Sequence, residues 1–383
     1  MRFEFATAGR ILFGPGTITE AGTVARSYGS PILVVTGTSH RSDRLLDILT
    51  KEGIRHQIFR VAGEPTLDLV DRGVELARQQ GCKVVIAFGG GSVIDAGKAI
   101  AAMLPNPGNP LDYLEVVGAG KPLPFDSAPF VAIPTTAGTG SEVTRNAVLA
   151  STEHRVKVSL RHASMLPKTA IIDPELTYDL PPDLTATTGL DALTQLIEPY
   201  VCARPNPMTD ALCVEGMQRA ARSLRKAVQD GHDASAREDM AIAALLSGMA
   251  LANAGLGAVH GFAGPIGGMF PAPHGAVCAA LLPHVMALNV KALSRNPRHA
   301  ANLARFEEVA HILTRNPQAS IQQGIDWVQT LVADLSIPKL RSYGILPNHI
   351  PDIVEKAARA SSMKANPVVL SSEELSEALR QAL

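Results

Sequence analysis

Three histidines, His260, His274 and His284, sit in a stretch from Met240 to Val290 that contains no Asp, Glu, Lys or Arg. Charged side chains are the ones most reliably left in water, so a run this long without them reads as protein interior. Imidazoles set into an interior need partners, and the usual ones are hydrogen-bond acceptors or a metal ion. Upstream, Gly189-Leu-Asp-Ala-Leu-Thr-Gln195 places a carboxylate and an amide four residues apart. On a helix these project from one face, as paired metal ligands do. The expectation is a buried polar centre fed by Asp191, Gln195, His260 and His274. His284, in Leu-Leu-Pro-His284, reads as a satisfied core residue, whereas His260 and His274 each stand beside a glycine where a ligand can approach.

Two further segments have the composition of nucleotide loops. Phe88-Gly-Gly-Gly-Ser-Val-Ile-Asp-Ala-Gly-Lys98 joins an apolar run to a helical one. Consecutive glycines let backbone approach a ligand, and a helix N-terminus favours a pyrophosphate. The plain alternative is an ordinary tight turn, but Ser92, Asp95 and Lys98 add specificity. The pattern is not the GxGxxG of the Rossmann fingerprint, so another nucleotide fold is implied. Pro134-Thr-Thr-Ala-Gly-Thr-Gly-Ser-Glu-Val143 repeats the construction. Helix capping alone explains Ser141 but not four hydroxyl residues around two glycines.

The elements that must carry these residues divide in two. Up to about residue 178 short apolar runs alternate with amphipathic ones: strands at 31–36, 56–61, 83–88 and 129–134, helices at 42–52 and 66–80. Continuous β-branched runs between helices predict a mainly parallel, doubly wound sheet. From Pro181 the strand signal disappears and helical runs follow at 207–230, 236–254, 321–335 and 350–360. The chain therefore reads as an α/β dinucleotide-binding domain over 1–178 and an all-helical metal and substrate domain over 179–383.

With 383 residues, 46% hydrophobic, 19% charged and a formal charge of −1, nothing favours nucleic acid or an anionic membrane as partner. The charge-free stretch is broken by Asn253, four prolines and several glycines, which argues against a membrane span. The N-terminus, Met1-Arg-Phe-Glu-Phe, carries no apolar signal region. Cys82, Cys202, Cys213 and Cys278 have no framework spacing and read as reduced thiols of a cytoplasmic protein, not as zinc ligands or disulfides.

Together these motifs resemble the iron-containing alcohol dehydrogenase family, the metal-activated type. The resemblance runs through Phe13-Gly-Pro-Gly-Thr17, Gly89-Gly-Gly-Ser-x-x-Asp-x-x-Lys98, Thr135-Thr-Ala-Gly-Thr-Gly-Ser-Glu142, Asp173-Pro174, Gly189-x-Asp-Ala-Leu193, Thr209-Asp-Ala211, His260-Gly261, Pro273-His-Gly275 and Leu282-Pro-His284. It implies an α/β nucleotide domain, a helical metal domain of the dehydroquinate-synthase-like type, and hydride transfer in a cleft between them. The implied activity is that of an NAD(P)-dependent alcohol dehydrogenase or aldehyde reductase acting on a small molecule as a homodimer or higher homo-oligomer. Asp191, His260 and His274 would hold Fe2+ or Zn2+, with Gln195 a weak fourth ligand or a donor to bound water, because Gln195 stands where the family has histidine. A second departure is Gly264, where the family often carries a proton-relaying histidine. Gly89, Gly90, Gly91, Ser92, Asp95, Thr135, Thr136 and Thr139 would hold the cofactor, and Lys157 would meet cofactor or substrate oxygen. Many relatives that use NAD look to have Asp at Gly37; its absence, with Ser39, His40 and Arg41 following, leaves room for the 2′-phosphate of NADP.

The same resemblance admits three rivals. A maleylacetate-reductase-like enzyme would look like Thr-Tyr-Ala-Gly-Ser-Glu at the second loop. A lyase of the dehydroquinate-synthase type would need a basic cluster absent from Met240 to Val290. A catalytically silent protein would retain nucleotide affinity alone.

Overall fold

A computed structural model describes residues 2–114, 117–151 and 156–383. The chain divides into two compact units, Ala6–Tyr178 and Asp179–Leu383, the latter joined by the N-terminal stretch ending at Phe5.

The first unit is built on a parallel sheet. Its strands are β1 (Ile11–Phe13), β2 (Ile32–Thr36), β3 (His56–Arg60), β4 (Val84–Gly89), β5 (Phe130–Pro134) and, after a separate hairpin of β6 (Asn146–Ser151) and β7 (Val156–Arg161), β8 (Thr169–Ile172). The spatial order is β1-β8-β5-β4-β2-β3, every neighbouring pair parallel. Every residue of β2, β4 and β5 is buried. A strand covered on both faces has no wet side to carry polar residues, hence the unbroken apolar runs. At one edge β3 reads His-Gln-Ile-Phe-Arg and is largely exposed, a composition that discourages further strand pairing.

Four helices flank these strands: α1 (Ala21–Tyr28), α2 (Asp43–Lys51), α3 (Leu67–Gln79) and α4 (Gly91–Met103). Thr66 caps α3, its hydroxyl accepting from the Leu69 N–H at 3.2 Å. Ten residues of α4 are buried, Lys98 among them. Gly97 lets α4 lie against the sheet: a Cβ there would fall 2.7 Å from that of Ala87 on β4.

The second unit is helical. Its sequence order is α5 (Pro182–Val201), α6 (Pro207–Gln229), α7 (Ala234–Asn253), α8 (Ala258–Met269), α9 (His274–Leu293), α10 (Ala300–Thr314), α11 (Ile321–Asp334), α12 (Ile350–Arg359) and α13 (Ser372–Ala382). α9 is long and apolar enough to cross a membrane, but most of it is buried inside the protein, as befits a core helix. The charge-free stretch therefore builds the interior, as its composition demands. On the outer side of this unit the Arg225 guanidinium of α6 stacks 5.1 Å from the ring of Trp327 on α11 and pairs with Asp334 at 2.9 Å. The expected architecture, a parallel α/β unit followed by an all-helical one, is what the chain adopts. The short strands β1 and β8 and the hairpin β6–β7 were not foreseen.

Candidate functional site

The two glycine-rich loops leave adjacent strands. Gly89–Gly91 follows β4 and Thr135–Glu142 follows β5, and the Thr135 N–H donates to the Gly89 carbonyl at 3.0 Å. They press closely: a Cβ at Gly91 would lie 2.9 Å from Thr139 Cγ2, and one at Gly90 3.3 Å from Thr136 Cγ2. Gly89, Gly90, Gly91, Ser92, Thr135, Thr136 and Thr139 are thus brought together. The N-cap of α4 is Gly90, which offers no side chain to the first amides of the helix. Amides left without an intrahelical or side-chain partner suit an anion.

Asp95, one turn into α4, is engaged by the second loop. Its carboxylate accepts from Ser141 Oγ at 2.5 Å and from the Val148 N–H at 3.0 Å. Lys98 does similar work beneath the second loop, donating to Ser141 O at 2.7 Å, Ser141 Oγ at 3.0 Å, Thr144 Oγ1 at 3.0 Å and Asn146 O at 2.8 Å. Both residues fasten the Ser141–Val148 segment to α4. Burial pushes the Lys98 ammonium down to about 8, despite Asp95 and Glu142 nearby.

Glu142, on the same turn, is buried, and that burial lifts its carboxyl to about 7. A folded-state value above the unfolded one gives stability that is complete below about 4.5 and lost as the pH climbs through 7. Lys98 has the opposite sense: its depressed value makes stability rise with pH between about 8 and 10.5. Urea denaturation midpoints should therefore fall from pH 4.5 to 7, by on the order of 3 kcal/mol of stability, and Glu142→Gln should flatten that limb. An unchanged slope in the variant would assign the pH dependence to other groups.

Gly37, Ser39, His40 and Arg41 follow the end of β2. A Cβ at Gly37 would meet nothing within 4 Å, and His40 is exposed beside Asp43 at 3.4 Å. A cation missing from the sequence reading is here too. Arg60, at the end of neighbouring β3, donates to Gly37 O at 2.9 Å and Ser39 O at 3.2 Å. Lys157 lies on β7 in the hairpin and pairs with Glu64 at 3.0 Å.

In the helical unit, Asp191, Gln195 and Glu198 recur at helical spacing along α5, His260 lies in the first turn of α8, and His274 opens α9 with Cys278 one turn on. Gly275 lets the start of α9 meet α5, since a Cβ there would fall 2.5 Å from the Thr187 carbonyl oxygen. One ligand atom from each of Asp191, His260, His274 and Cys278 falls within 4.8 Å of the other three. Asp191 Oδ1 is 3.4 Å from His260 Nε2 and 3.6 Å from His274 Nε2. It is also buried without a hydrogen-bond partner. A carboxylate oxygen left so is costly unless something cationic meets it, and a divalent ion among these donors would do so. Burial works against protonating His260 and His274, yet the Cys278 sulfur and the Asp191 carboxylate outweigh it, with Glu198 adding to the effect at His260, so both sit above the usual histidine range. Burial also opposes the charge on Asp191, but the two imidazoles hold its carboxyl below the usual range. The field at this point favours positive charge.

Two residues of this centre escaped the sequence reading. Glu198 accepts from the Val259 N–H at 2.7 Å and from His260 Nδ1 at 2.6 Å, which turns Nε2 toward the cluster. It lies two helical turns beyond Asp191 on α5. Cys278, expected to stand outside any metal site, has its sulfur beside the same three donors, four residues after His274. Gln195 is held at both ends, its amide donating to Asp191 Oδ2 at 3.1 Å and its oxygen accepting from Ser247 at 3.0 Å. A Cβ at Gly264 would meet nothing within 4 Å. The group opens to solvent at His274, whose side chain is 38% exposed against 5% for His260.

Residues 8–174 match the family description "Iron-containing alcohol dehydrogenase", and residues 185–383 match "Fe-containing alcohol dehydrogenase family, C-terminal". The 1,3-propanediol dehydrogenase of Citrobacter freundii is 36% identical over 391 aligned positions, covering 99% of this chain and 98% of its own. Among solved structures, a 1,3-propanediol oxidoreductase superposes with a TM-score of 0.93 at 34% identity over the whole of both chains. The sulfoacetaldehyde reductase of Bifidobacterium kashiwanohense, solved with NAD+, gives 0.87 at 28% identity, covering 99% of this chain and 98% of its own.

Proposed function

The chain belongs to the iron-containing alcohol dehydrogenase family and is an oxidoreductase that moves hydride between a nicotinamide cofactor and a small alcohol or aldehyde; from that premise we propose which residues do the work. The convergence of Asp191 Oδ1, His260 Nε2 and His274 Nε2 carries the reading. Asp191, His260 and His274 would hold a divalent ion, which when bound would supply Lewis acidity for an alcohol or carbonyl oxygen. The protein's own part is to fix that oxygen and the cofactor. Glu198 sets the tautomer of His260, and Gln195 holds the second oxygen of Asp191 so that the first faces the imidazoles. His274 lies on the exposed side of the group, where a small substrate reaches it.

In the sheet unit, 1–178, Gly89 to Ser92 with the open N-terminus of α4 hold the pyrophosphate, and Thr135, Thr136 and Thr139 contact the cofactor beside it. Asp95 acts by positioning that second loop. Lys157, fixed by Glu64, is the cation assigned to cofactor or substrate oxygen. The helical unit, 179–383, supplies the ion and the substrate contacts. Four free, buried thiols are consistent with a reducing, cytoplasmic setting, and the family resemblance supports a homo-oligomer. The decisive assay follows absorbance at the reduced-nicotinamide band against a panel of primary alcohols and aldehydes. Chelation should abolish turnover and zinc or ferrous ion restore it. Turnover indifferent to chelation but lost in His260→Ala and His274→Ala would instead make the imidazoles direct hydrogen-bond donors to the carbonyl.

The coenzyme reading is that NADP(H) is accepted. Gly37 leaves space, and Ser39, His40 and Arg41 follow within reach of a 2′-phosphate, with Arg60 bracing the turn. Gly37→Asp should lower kcat/KM for NADP(H) relative to NAD(H) by about tenfold or more, because the new carboxylate repels the phosphate and accepts from the ribose. A ratio unmoved by both Gly37→Asp and Arg41→Ala would place the adenosine ribose elsewhere.

A further inference from the structure

Gln195 stands where the family has a histidine, yet neither end of its amide is aimed at the ion site. Its nitrogen donates to Asp191 Oδ2 and its oxygen accepts from Ser247, all three side chains being buried. Bringing that oxygen round to the cluster would break both bonds among buried side chains. The fourth corner is held by something else. Cys278 projects from the same face of α9 as His274, one turn later, and its sulfur lies 3.7 Å from His274 Nε2 and 3.8 Å from His260 Nε2.

These separations are diagnostic when set beside the others. Donors roughly 2.0–2.3 Å from a shared tetrahedral ion stand about 3.3–3.8 Å from one another. The four contacts the cluster makes are 3.4, 3.6, 3.7 and 3.8 Å. The two oxygen–nitrogen separations are long for hydrogen bonds, the two sulfur contacts are within reach of weak ones, and all four match edges of a coordination tetrahedron. Asp191 Oδ1, buried and without a hydrogen-bond partner, points into the same space. A cysteine that merely filled the core would have no reason to face two imidazole nitrogens and an orphaned carboxylate oxygen.

We propose that the thiolate of Cys278 is the fourth protein donor of this centre, in the position Gln195 would otherwise fill, and that the resulting oxygen, two-nitrogen and sulfur set takes zinc in preference to ferrous iron. The inference deepens the metal-assisted reading above and rests on it. A thiolate is a soft donor and biases a mixed site toward zinc, whereas oxygen and nitrogen alone leave the two ions closer in affinity. Binding forms the metal–sulfur bond and releases the thiol proton to solvent. Gln195 becomes the residue that orients Asp191.

The test uses the full-length chain, stripped of metal and titrated anaerobically with cobalt(II) alone. The proposal expects a thiolate-to-cobalt charge-transfer band in the near ultraviolet, loss of that band in Cys278→Ser, and zinc affinity weakened by about tenfold or more in that variant. Should Cys278→Ser fail to fold, the wild-type spectrum still decides, because the other three cysteines lie outside the donor group. Cobalt bound without a thiolate band, or a band that survives in Cys278→Ser, overturns the assignment of the cysteine and leaves the metal-assisted reading standing. No cobalt binding at all overturns both. Ferrous iron competing equally with zinc removes the selectivity.

Discussion

Lys98→Met is expected to destabilise the sheet unit by about 3–5 kcal/mol. Methionine matches the volume of the lysine stem, so the loss is not one of packing. The ammonium of Lys98 sits among four acceptors, Ser141 O and Oγ, Thr144 Oγ1 and Asn146 O, in a side chain with no exposed surface. Removing it takes a donor from the Ser141 and Asn146 carbonyls and from Thr144 Oγ1, and deprives the Asp95 carboxylate, 3.9 Å away, of its nearest cation. Each unsatisfied group alone costs about 1–3 kcal/mol. Because these acceptors belong to the loop that is proposed to hold the cofactor, the KM for NAD(P) should rise as well. Denaturation followed by far-ultraviolet circular dichroism checks the first claim. A variant within about 1 kcal/mol of the parent would mean that water replaces the ammonium, against the burial observed.

Glu198→Gln should weaken metal binding by about tenfold to a hundredfold while changing stability far less. The substitution keeps shape and leaves one oxygen to accept from the Val259 N–H. Facing His260 Nδ1, however, the amide nitrogen donates where the carboxylate accepted. The imidazole must then carry its proton on Nε2, the atom that faces Asp191 and Cys278. A protonated Nε2 cannot bind an ion. Isothermal titration with zinc and a thermal melt of the same sample separate the two effects. Equal losses in both would make Glu198 a plain structural residue, and no loss in either would show that His260 chooses its tautomer unaided.

Asp191 and Glu198, two carboxylates on one helix, differ in how readable they are from sequence. Asp191, His260 and His274 stood out because the interior around them is so poor in polar residues, and they meet in space. Glu198 lies on the same helix as Asp191, but a glutamate seven residues along a helix reads as one more solvent-facing charge. Only the fold shows α8 laid against it. Cys278 was invisible for the opposite reason: among Ala, Val and Leu it looks like another small apolar residue. In the sheet, β2, β4 and β5 declared themselves because strands buried on both faces must be apolar throughout. The edge strand β1, three residues long, and the half-exposed β6 carry too little periodicity to rise above their surroundings. Gln195 was read as a ligand or a donor to water because its spacing from Asp191 is that of a ligand pair. The spacing is real, but on one helix face it serves equally well to tie one side chain to the next.

The chain's single tryptophan, Trp327, belongs to the helical unit, where the Arg225 guanidinium covers its ring. The sheet unit therefore contributes no indole emission, and intrinsic fluorescence is a reporter on one half of the molecule. Excited at the red edge, the emission follows the helical unit through a denaturant series while circular dichroism follows both. Two curves that coincide mean that the units melt as one cooperative body. Two that separate would date the loss of the metal centre and the loss of the nucleotide loops independently, with no label introduced.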